Sequence, residues 1–160
     1  MTAAFANPEQ RLAQAGWRLP AALPPSAHYI PWRRAGALLY VSGHGPREAD
    51  GSYRRGRLHS AANVPMGHAA AQLTALNLLA TVKLAVGDLA QVESVLKLLG
   101  MVNATPDFEH HPQVIDGCSD VLIQAFGDAG RHARSAVGMG SLPHGMPVEV
   151  EAVFLIREGM

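Results

Sequence analysis

The residues best suited to chemistry lie near the C-terminus, in two apolar segments. Arg134 lies near the start of one, within residues 133–137, and Glu149 and Glu151 lie inside the other, within 147–152. Charged side chains inside apolar strands are costly unless they are paired or used in binding. A guanidinium offers two parallel N–H donors that match a small carboxylate, and a nearby carboxylate can hold or activate water. The pattern therefore predicts a pocket for a small carboxylate at Arg134.

A structural alternative remains open for the same residues. Arg134 would then pair with Glu149 or Glu151 across a subunit interface and take no part in chemistry. In that case removal of the guanidinium would leave a buried carboxylate unpaired and would weaken the assembly.

Other candidate sites are weaker. His110 and His111 are adjacent and point in different directions, and no i, i+4 histidine pair supports a metal site. Cys118 is predicted on the inner face of a helix, where it is a small buried hydrophobe rather than a nucleophile. The glycines near residues 43 and 138 lack the Gly-Lys-Ser/Thr of a phosphate loop. We therefore expect neither a metal nor an organic cofactor.

The elements that position Arg134 and Glu149 follow from hydrophobic periodicity and from proline and glycine. Asn7 and Pro8 predict the start of a short helix, and the prolines after it predict an extended connector. Apolar spacing predicts long helices where residues recur every three or four positions, and strands where runs are short and β-rich. The predicted helices cover 8–15, 66–86 and 112–126, the connector 19–26, and the strands 26–34, 38–41, 94–102, 133–140 and 147–156.

This order of elements predicts an α+β fold with two layers, a mixed sheet with the two long helices on one face. The chain forms a single domain over 1–160, with the N-terminal helix and connector in 1–25 and the core in 26–156. A two-layer domain leaves one sheet face uncovered, and we assign Val148, Val150 and Phe154 to that face. An uncovered apolar face predicts an oligomer with its sheets facing inward.

Composition excludes several classes of function. Thirteen basic residues balance thirteen acidic ones, so no overall charge favours nucleic acid or an anionic membrane. The single cysteine rules out an internal disulfide, and the N-terminus has no secretory pattern. No stretch is expected to approach the ~20 apolar residues that span a bilayer. The chain is therefore predicted to be soluble and cytoplasmic, with no membrane or nucleic-acid partner.

Several motifs together resemble the RidA/YjgF family, whose members are also labelled endoribonuclease L-PSP-like. They are Tyr29-Ile30-Pro31, the run from Leu39 to Pro46, Ala133-Arg134-Ser135, and Val148-Glu149-Val150-Glu151. The resemblance covers about residues 26–156, and the leading helix and longer loops look like a divergent branch. It implies a chorismate-mutase-like fold and a homotrimer.

The resemblance also implies an activity. Members of this kind hydrolyse reactive enamines and imines, such as 2-iminobutanoate and 2-iminopropanoate, to 2-oxo acids and ammonia without a cofactor. On this reading Arg134 binds the substrate carboxylate and Glu149 positions or activates water. Tyr29 borders the pocket, and Ser42 and Gly43 supply polar groups, in a cleft between adjacent subunits.

Three positions depart from the family pattern. Ala136 replaces a frequent cysteine, Asp116 replaces the asparagine that commonly opens the second long helix, and His44 replaces the usual glutamine. Asp116 would disfavour a ligand with a second carboxylate, although both Ala136 and Asp116 are predicted to border the ligand. Two alternatives stay open: a non-catalytic carboxylate-binding or regulatory trimer, and the RNA-cleaving or translation-inhibitor activity of the family label. Neutral charge argues against strong RNA binding.

Overall fold

The computed structural model describes residues 7–24 and 28–158 as one mixed sheet with helices packed on one face. Parts of the predicted connector and first strand, residues 25–27, lie outside the described residues, as do 1–6 and 159–160. The helices are α1 (Pro8–Gln14), α2 (Val64–Val86) and α3 (His111–Phe126), and the strands are β1 (Trp32–Ala35), β2 (Leu38–His44), β3 (Val92–Asn103), β4 (Ala133–Met139) and β5 (Val148–Ile156). The predicted order of elements is confirmed.

Local signals set the ends of the helices as the sequence predicts. The Asn7 side chain accepts a hydrogen bond from the Glu9 N–H at 2.9 Å, which satisfies a free donor at the start of α1. Gly87 follows α2 with a φ of 84°, a left-handed conformation that glycine adopts without strain.

The strands lie in the order β1-β2-β5-β3-β4. β3 and β4 are parallel and are connected through α3, whereas the other neighbours are antiparallel. β4 is therefore an edge strand, and Arg134 lies on it beside α3. The two-layer α+β architecture predicted from the sequence is confirmed.

The assignment of the uncovered sheet face is wrong. Val148, Val150 and Phe154 are fully buried and pack with the helices in the core. The opposite alternation of β5 faces away from the helices, as do the side chains that pair with it across the sheet. This open face carries Tyr40, Lys97, Leu99, Met101, Glu149, Glu151, Val153 and Leu155. Both alternations of β5 contain apolar residues, so periodicity alone did not distinguish them; the two glutamates mark the open face.

The expectation that no stretch has the length and composition of a membrane span is also wrong. Among the described residues, the helical segment Ala61–Val86 is 26 residues long and is apolar enough to cross a membrane by length and composition. Most of it is buried inside the fold. Burial of this kind is what the core helix of a soluble protein requires.

Glycine allows α2 and α3 to approach closely. Gly117 lies in the middle of α3, and a Cβ at this position would overlap the main-chain carbonyl oxygen of His68 in α2. Glycine inside a helix costs about 1 kcal/mol relative to alanine. The close approach of the two helices explains why glycine occupies this position in spite of that cost.

We expect Gly117→Ala to lower the free energy of unfolding by up to about 2 kcal/mol, because overpacking against a backbone atom costs about 1–3 kcal/mol and the gain in helix propensity returns only ~1 kcal/mol. Urea denaturation measures this. Gly140→Ala is the matched control, since a Cβ at position 140 would meet no atom of the described chain within 4 Å. Equal midpoints for the two variants would contradict the close-approach explanation.

Candidate functional site

Arg134 lies on the helix side of the sheet. It pairs with Leu98 of β3, which pairs in turn with Ala152 of β5, and both partners are buried in the core. The Arg134 side chain is 20% exposed and reaches towards α3. The guanidinium is therefore held at the boundary between the core and the surface.

Three acceptors hold this guanidinium. Its Nη1 donates to Asp116 Oδ1 and to Ser119 Oγ, both at 2.9 Å, and its Nη2 donates to the Pro112 carbonyl at 3.4 Å. Both hydrogens of Nη1 are thus used. The Nε–H makes no hydrogen bond within the described part of the chain. The Nε–H and one Nη2 hydrogen of a guanidinium form an edge with two parallel donors, the arrangement that binds a carboxylate, and on this edge the chain itself makes only the 3.4 Å contact between Nη2 and the Pro112 carbonyl.

A hydrogen-bonded chain continues from Ser119 to His132. The His132 Nδ1 lies 2.7 Å from the Gly130 carbonyl oxygen, and its Nε2 lies 3.0 Å from Ser119 Oγ. A carbonyl only accepts, so Nδ1 carries the proton and neutral Nε2 accepts from the Ser119 hydroxyl. Burial lowers the pKa of His132, and the charge of Arg134 acts in the same direction, against the opposing Gly130 hydrogen bond. The ring is therefore held neutral.

A second cluster lies on the open face, where β2 is irregular. The register between β2 and β5 shifts between Val41 and His44. Ser42 Oγ donates to the Ile30 carbonyl at 3.0 Å, which ties the segment before β1 to β2. Gly43 lies against Glu149, and a Cβ at position 43 would overlap the Glu149 carboxylate. The structure thus brings together the predicted residues Ser42, Gly43 and Glu149.

Glu149 is half-buried on the open face of the sheet, two residues before Glu151 in β5. Burial raises its pKa above the ordinary glutamate value, and the nearby charge of Glu151 raises it further. A groove of about 410 Å³ runs along the same face, with Ser42, Lys97 and Glu151 among its lining residues. Neither Glu149 nor Arg134 is among the residues that line this groove.

The two clusters do not meet within one chain. Arg134 is in register with Ala152, three residues along β5 from Glu149, and alternation places the two side chains on opposite faces of the sheet. With strands about 4.8 Å apart and a rise of about 3.3 Å per residue, the two Cα atoms are roughly 14 Å apart. The carboxylate that contacts Arg134 in the chain is Asp116, not Glu149 or Glu151.

The remaining predicted residues lie at the margins of these clusters. Tyr29 is 57% exposed just before β1, and Ala136 is half-buried on the helix side of β4. Burial raises the pKa of the Cys118 thiol to about 12, which suits a buried hydrophobe. Among the described residues, no group of three or more His, Cys, Asp or Glu side chains could hold a metal ion.

Sequence reasoning missed Ser119 and His132. The spacing of these two residues from Asp116 and Arg134 could have indicated them. Asp116 and Ser119 are three residues apart on α3 and share a helix face. His132 precedes Arg134 by two residues, the period of side chains on one face of a strand. Only the crossover that places α3 over β4 shows that these two pairs face each other.

The comparison with family models identifies the chain. Residues 9–155 match the model described as "YjgF/chorismate_mutase-like, putative endoribonuclease". The chain belongs to the YjgF family. The RidA/YjgF resemblance and the chorismate-mutase-like fold drawn from the sequence are therefore confirmed.

Individual YjgF-family proteins resemble the chain to different degrees. Protein TCP17 of Trypanosoma cruzi is 40% identical over 143 residues, which is 89% of each chain. The crystal structure of Atu1372 from Agrobacterium tumefaciens, a protein of unknown function, is 41% identical with a TM-score of 0.86, covering 94% of this chain and 92% of that one. Escherichia coli TdcF, crystallised with bound serine, shares the fold at 20% identity and a TM-score of 0.59, covering 88% and 94%.

His44, where the family usually has glutamine, is buried between the sheet and α2. Its Nδ1 lies 2.7 Å from the Ser42 carbonyl, and its Nε2 lies 2.7 Å from Thr81 Oγ1. The carbonyl requires a proton on Nδ1, so the neutral ring accepts from the Thr81 hydroxyl. Burial lowers the pKa of His44, although its hydrogen bond to Ser42 opposes that shift.

We expect the free energy of unfolding to fall as the pH falls from about 7 towards 5. The unfolded imidazole takes up a proton near pH 6.5, whereas buried His44 does so only at lower pH, and one such group contributes up to about 1.4 kcal/mol per pH unit. His44→Gln should make this dependence shallower, leaving the contribution of His132. Urea denaturation at several pH values measures it.

The control is His59→Gln, because His59 is exposed and packs in no comparable site. It should leave the pH dependence unchanged. If His44→Gln and the wild type lose the same free energy between pH 7 and 5, His44 is not buried as the neutral form.

Proposed function

We propose that the protein is a hydrolase of 2-imino acids, releasing 2-oxo acids and ammonia. The observation that supports this most directly is the guanidinium of Arg134. Its Nη1 is fully occupied by Asp116 and Ser119, whereas on the edge formed by Nε and Nη2 the described residues supply only the 3.4 Å contact of Nη2 with the Pro112 carbonyl. This edge suits the carboxylate that every 2-imino acid carries.

The chemistry needs only water and a proton carrier. Water adds to the carbon of the C=N bond while the imine nitrogen takes up a proton, giving a tetrahedral carbinolamine. The amine nitrogen then takes up a second proton, the C–N bond breaks as the hydroxyl gives up its proton, and a 2-oxo acid and ammonia leave. Glu149, with its raised pKa, is suited to accept a proton from water and to return it to the nitrogen. No redox step or group carrier is required.

The site is completed by a second subunit in this proposal. Arg134 and Glu149 lie on opposite faces of their own sheet, so one substrate can contact both only if they come from different chains. Arg134 lies on the edge strand β4, and Glu149 lies on the open face. A trimer with its open faces inward would bring the edge of one sheet next to the open face of the next.

The exposed apolar side chains of the open face, a structural neighbour and the charge of Asp116 also support the proposal. The open face exposes apolar side chains, among them Tyr40 at 47% and Val137 at 37%, which a neighbouring chain would cover. TdcF, which shares the fold, is crystallised with serine, a ligand that carries the same type of carboxylate. Asp116 beside Arg134 disfavours a second carboxylate on the ligand, so the expected substrates are monocarboxylates.

We expect a homotrimer of the 17.0 kDa chain at micromolar concentration, measured by sedimentation velocity. Leu99→Asp should dissociate it, because Leu99 lies on the open face beside Glu151. Leu84→Asp is the matched control, since Leu84 is 57% exposed on α2, outside the open face. A folded wild-type monomer would refute the trimer and the site shared between subunits.

Arg134→Ala should lower kcat/KM for 2-iminobutanoate generated in situ by about two orders of magnitude, since each lost charge-assisted hydrogen bond costs ~1.5–3 kcal/mol. Arg134→Lys should restore only part, because an ammonium lacks the two parallel donors. Arg131→Ala, which removes an exposed arginine paired with Asp128, is the control.

The same samples should be tested by sedimentation. An intact trimer with lost activity supports the carboxylate pocket, whereas a dissociated trimer supports a structural role for Arg134. Carboxylate binding without turnover in the wild type would favour the non-catalytic alternative.

The acid side of the pH profile of kcat/KM should report on Glu149, after subtraction of the uncatalysed rate. Activity falls as the carboxylate becomes protonated, and its raised pKa places this fall above the usual range near pH 4.3. Glu151→Gln removes a neighbouring negative charge, so the fall should move to lower pH. It should not reach the ordinary value, because burial is the larger cause. Glu93→Gln, a substitution of an exposed residue on β3, should leave the acid side of the pH profile unchanged. A shift of the fall to higher pH for Glu151→Gln would rule out Glu149 as the proton carrier.

A further inference from the structure

We propose that Ser119 and His132 are positioning residues that orient Arg134 for carboxylate binding; this inference rests on the proposed function. The Gly130 carbonyl fixes the His132 ring through Nδ1 at 2.7 Å. The ring then accepts from the Ser119 hydroxyl through Nε2 at 3.0 Å. Ser119 Oγ in turn accepts from Arg134 Nη1 at 2.9 Å.

This chain of hydrogen bonds assigns each proton a direction. Because His132 Nδ1 donates to a carbonyl, Nε2 has a lone pair for the Ser119 hydroxyl, and the Ser119 oxygen keeps its lone pairs for Arg134. The hydroxyl therefore cannot rotate its hydrogen towards the guanidinium, where it would repel the Nη1 donor. The rotamer of Arg134 is thus fixed through Nη1, the nitrogen that does not belong to the Nε/Nη2 edge.

Asp116 alone would not fix that rotamer. It is 52% exposed and contacts the guanidinium through one oxygen, so an ion pair at this position tolerates several orientations. Ser119 is 9% exposed and is carried by α3. A buried hydroxyl on a helix, held by a half-buried ring, supplies a rigid contact at 2.9 Å, which is shorter than the 3.4 Å contact of Nη2 with the Pro112 carbonyl on the same helix.

The same contacts argue against a nucleophilic Ser119. A serine nucleophile must reach its substrate, whereas this hydroxyl is buried and faces Arg134 and His132. Ser119 and His132 act through Arg134 and need not touch the ligand. Their effect is therefore expected on affinity for the carboxylate and not on the rate of the bound complex.

The test is a double-mutant cycle on binding of 2-oxobutanoate, measured by isothermal titration calorimetry, with KM and kcat measured in parallel. Ser119→Ala should weaken binding about tenfold, raise KM similarly and leave kcat within about twofold. His132→Phe, which keeps a ring but removes both polar contacts, should also weaken 2-oxobutanoate binding and raise KM. Ser94→Ala, a half-buried serine on β3 away from Arg134, should change nothing.

Coupling to Arg134 decides the outcome. In the Arg134→Ala background, Ser119→Ala should have no further effect on 2-oxobutanoate binding, provided that sedimentation shows the assembly unchanged. Equal losses in both backgrounds, or no loss in the wild-type background, would overturn the positioning role while leaving the carboxylate site intact. Failure of 2-oxobutanoate to bind in a way that depends on Arg134 would overturn both the proposed function and this inference.

Discussion

The packing of α2 on one alternation of β5, with α3 on the neighbouring strands β3 and β4, is the constraint on which the rest of the structure depends. Val148, Val150 and Phe154 are completely buried beneath these helices, and burial of side chains of this size is worth about 1.5–3 kcal/mol each. Because side chains alternate along a strand, this choice sends Glu149 and Glu151 to the opposite face. The location of both carboxylates is thus a consequence of core formation, and a one-residue change of register would reverse it.

The same constraint divides the polar chemistry into two places. On the helix side, Arg134 finds partners on α3 because the parallel β3–β4 pair requires a crossover helix that packs over β4. On the open side, none of the helices formed by residues 7–24 and 28–158 covers Glu149, and the irregularity in β2 places Gly43 against its carboxylate. A guanidinium held by three hydrogen bonds thus lies on one face, and a carboxyl group with a raised pKa lies on the other. A second copy of the chain is the simplest way to unite them on one substrate.

Two histidines show how burial controls protonation in this fold. His44 and His132 each place Nδ1 against a main-chain carbonyl two residues away and Nε2 against a hydroxyl on a helix. In both cases burial lowers the pKa, and the carbonyl selects the tautomer. His44 thereby links β2 to α2, and His132 links the start of β4 to α3. The two contacts fix the sheet relative to the helices at the points where the two polar clusters begin.

The sequence by itself determined the elements and the two-layer α+β class, because helix caps, proline, glycine and the spacing of apolar residues are local signals. The family followed from the resemblance of short motifs such as Ala133-Arg134-Ser135 and Val148-Glu149-Val150-Glu151. The sequence also singled out Arg134 and Glu149, since charges in apolar strands are conspicuous. It did not determine which face of β5 is covered, because both alternations contain apolar residues. Nor did it show Ser119 and His132 meeting at Arg134. Hydrogen bonds between α3 and the start of β4 depend on how the crossover helix packs on the sheet, and only the tertiary structure decides that.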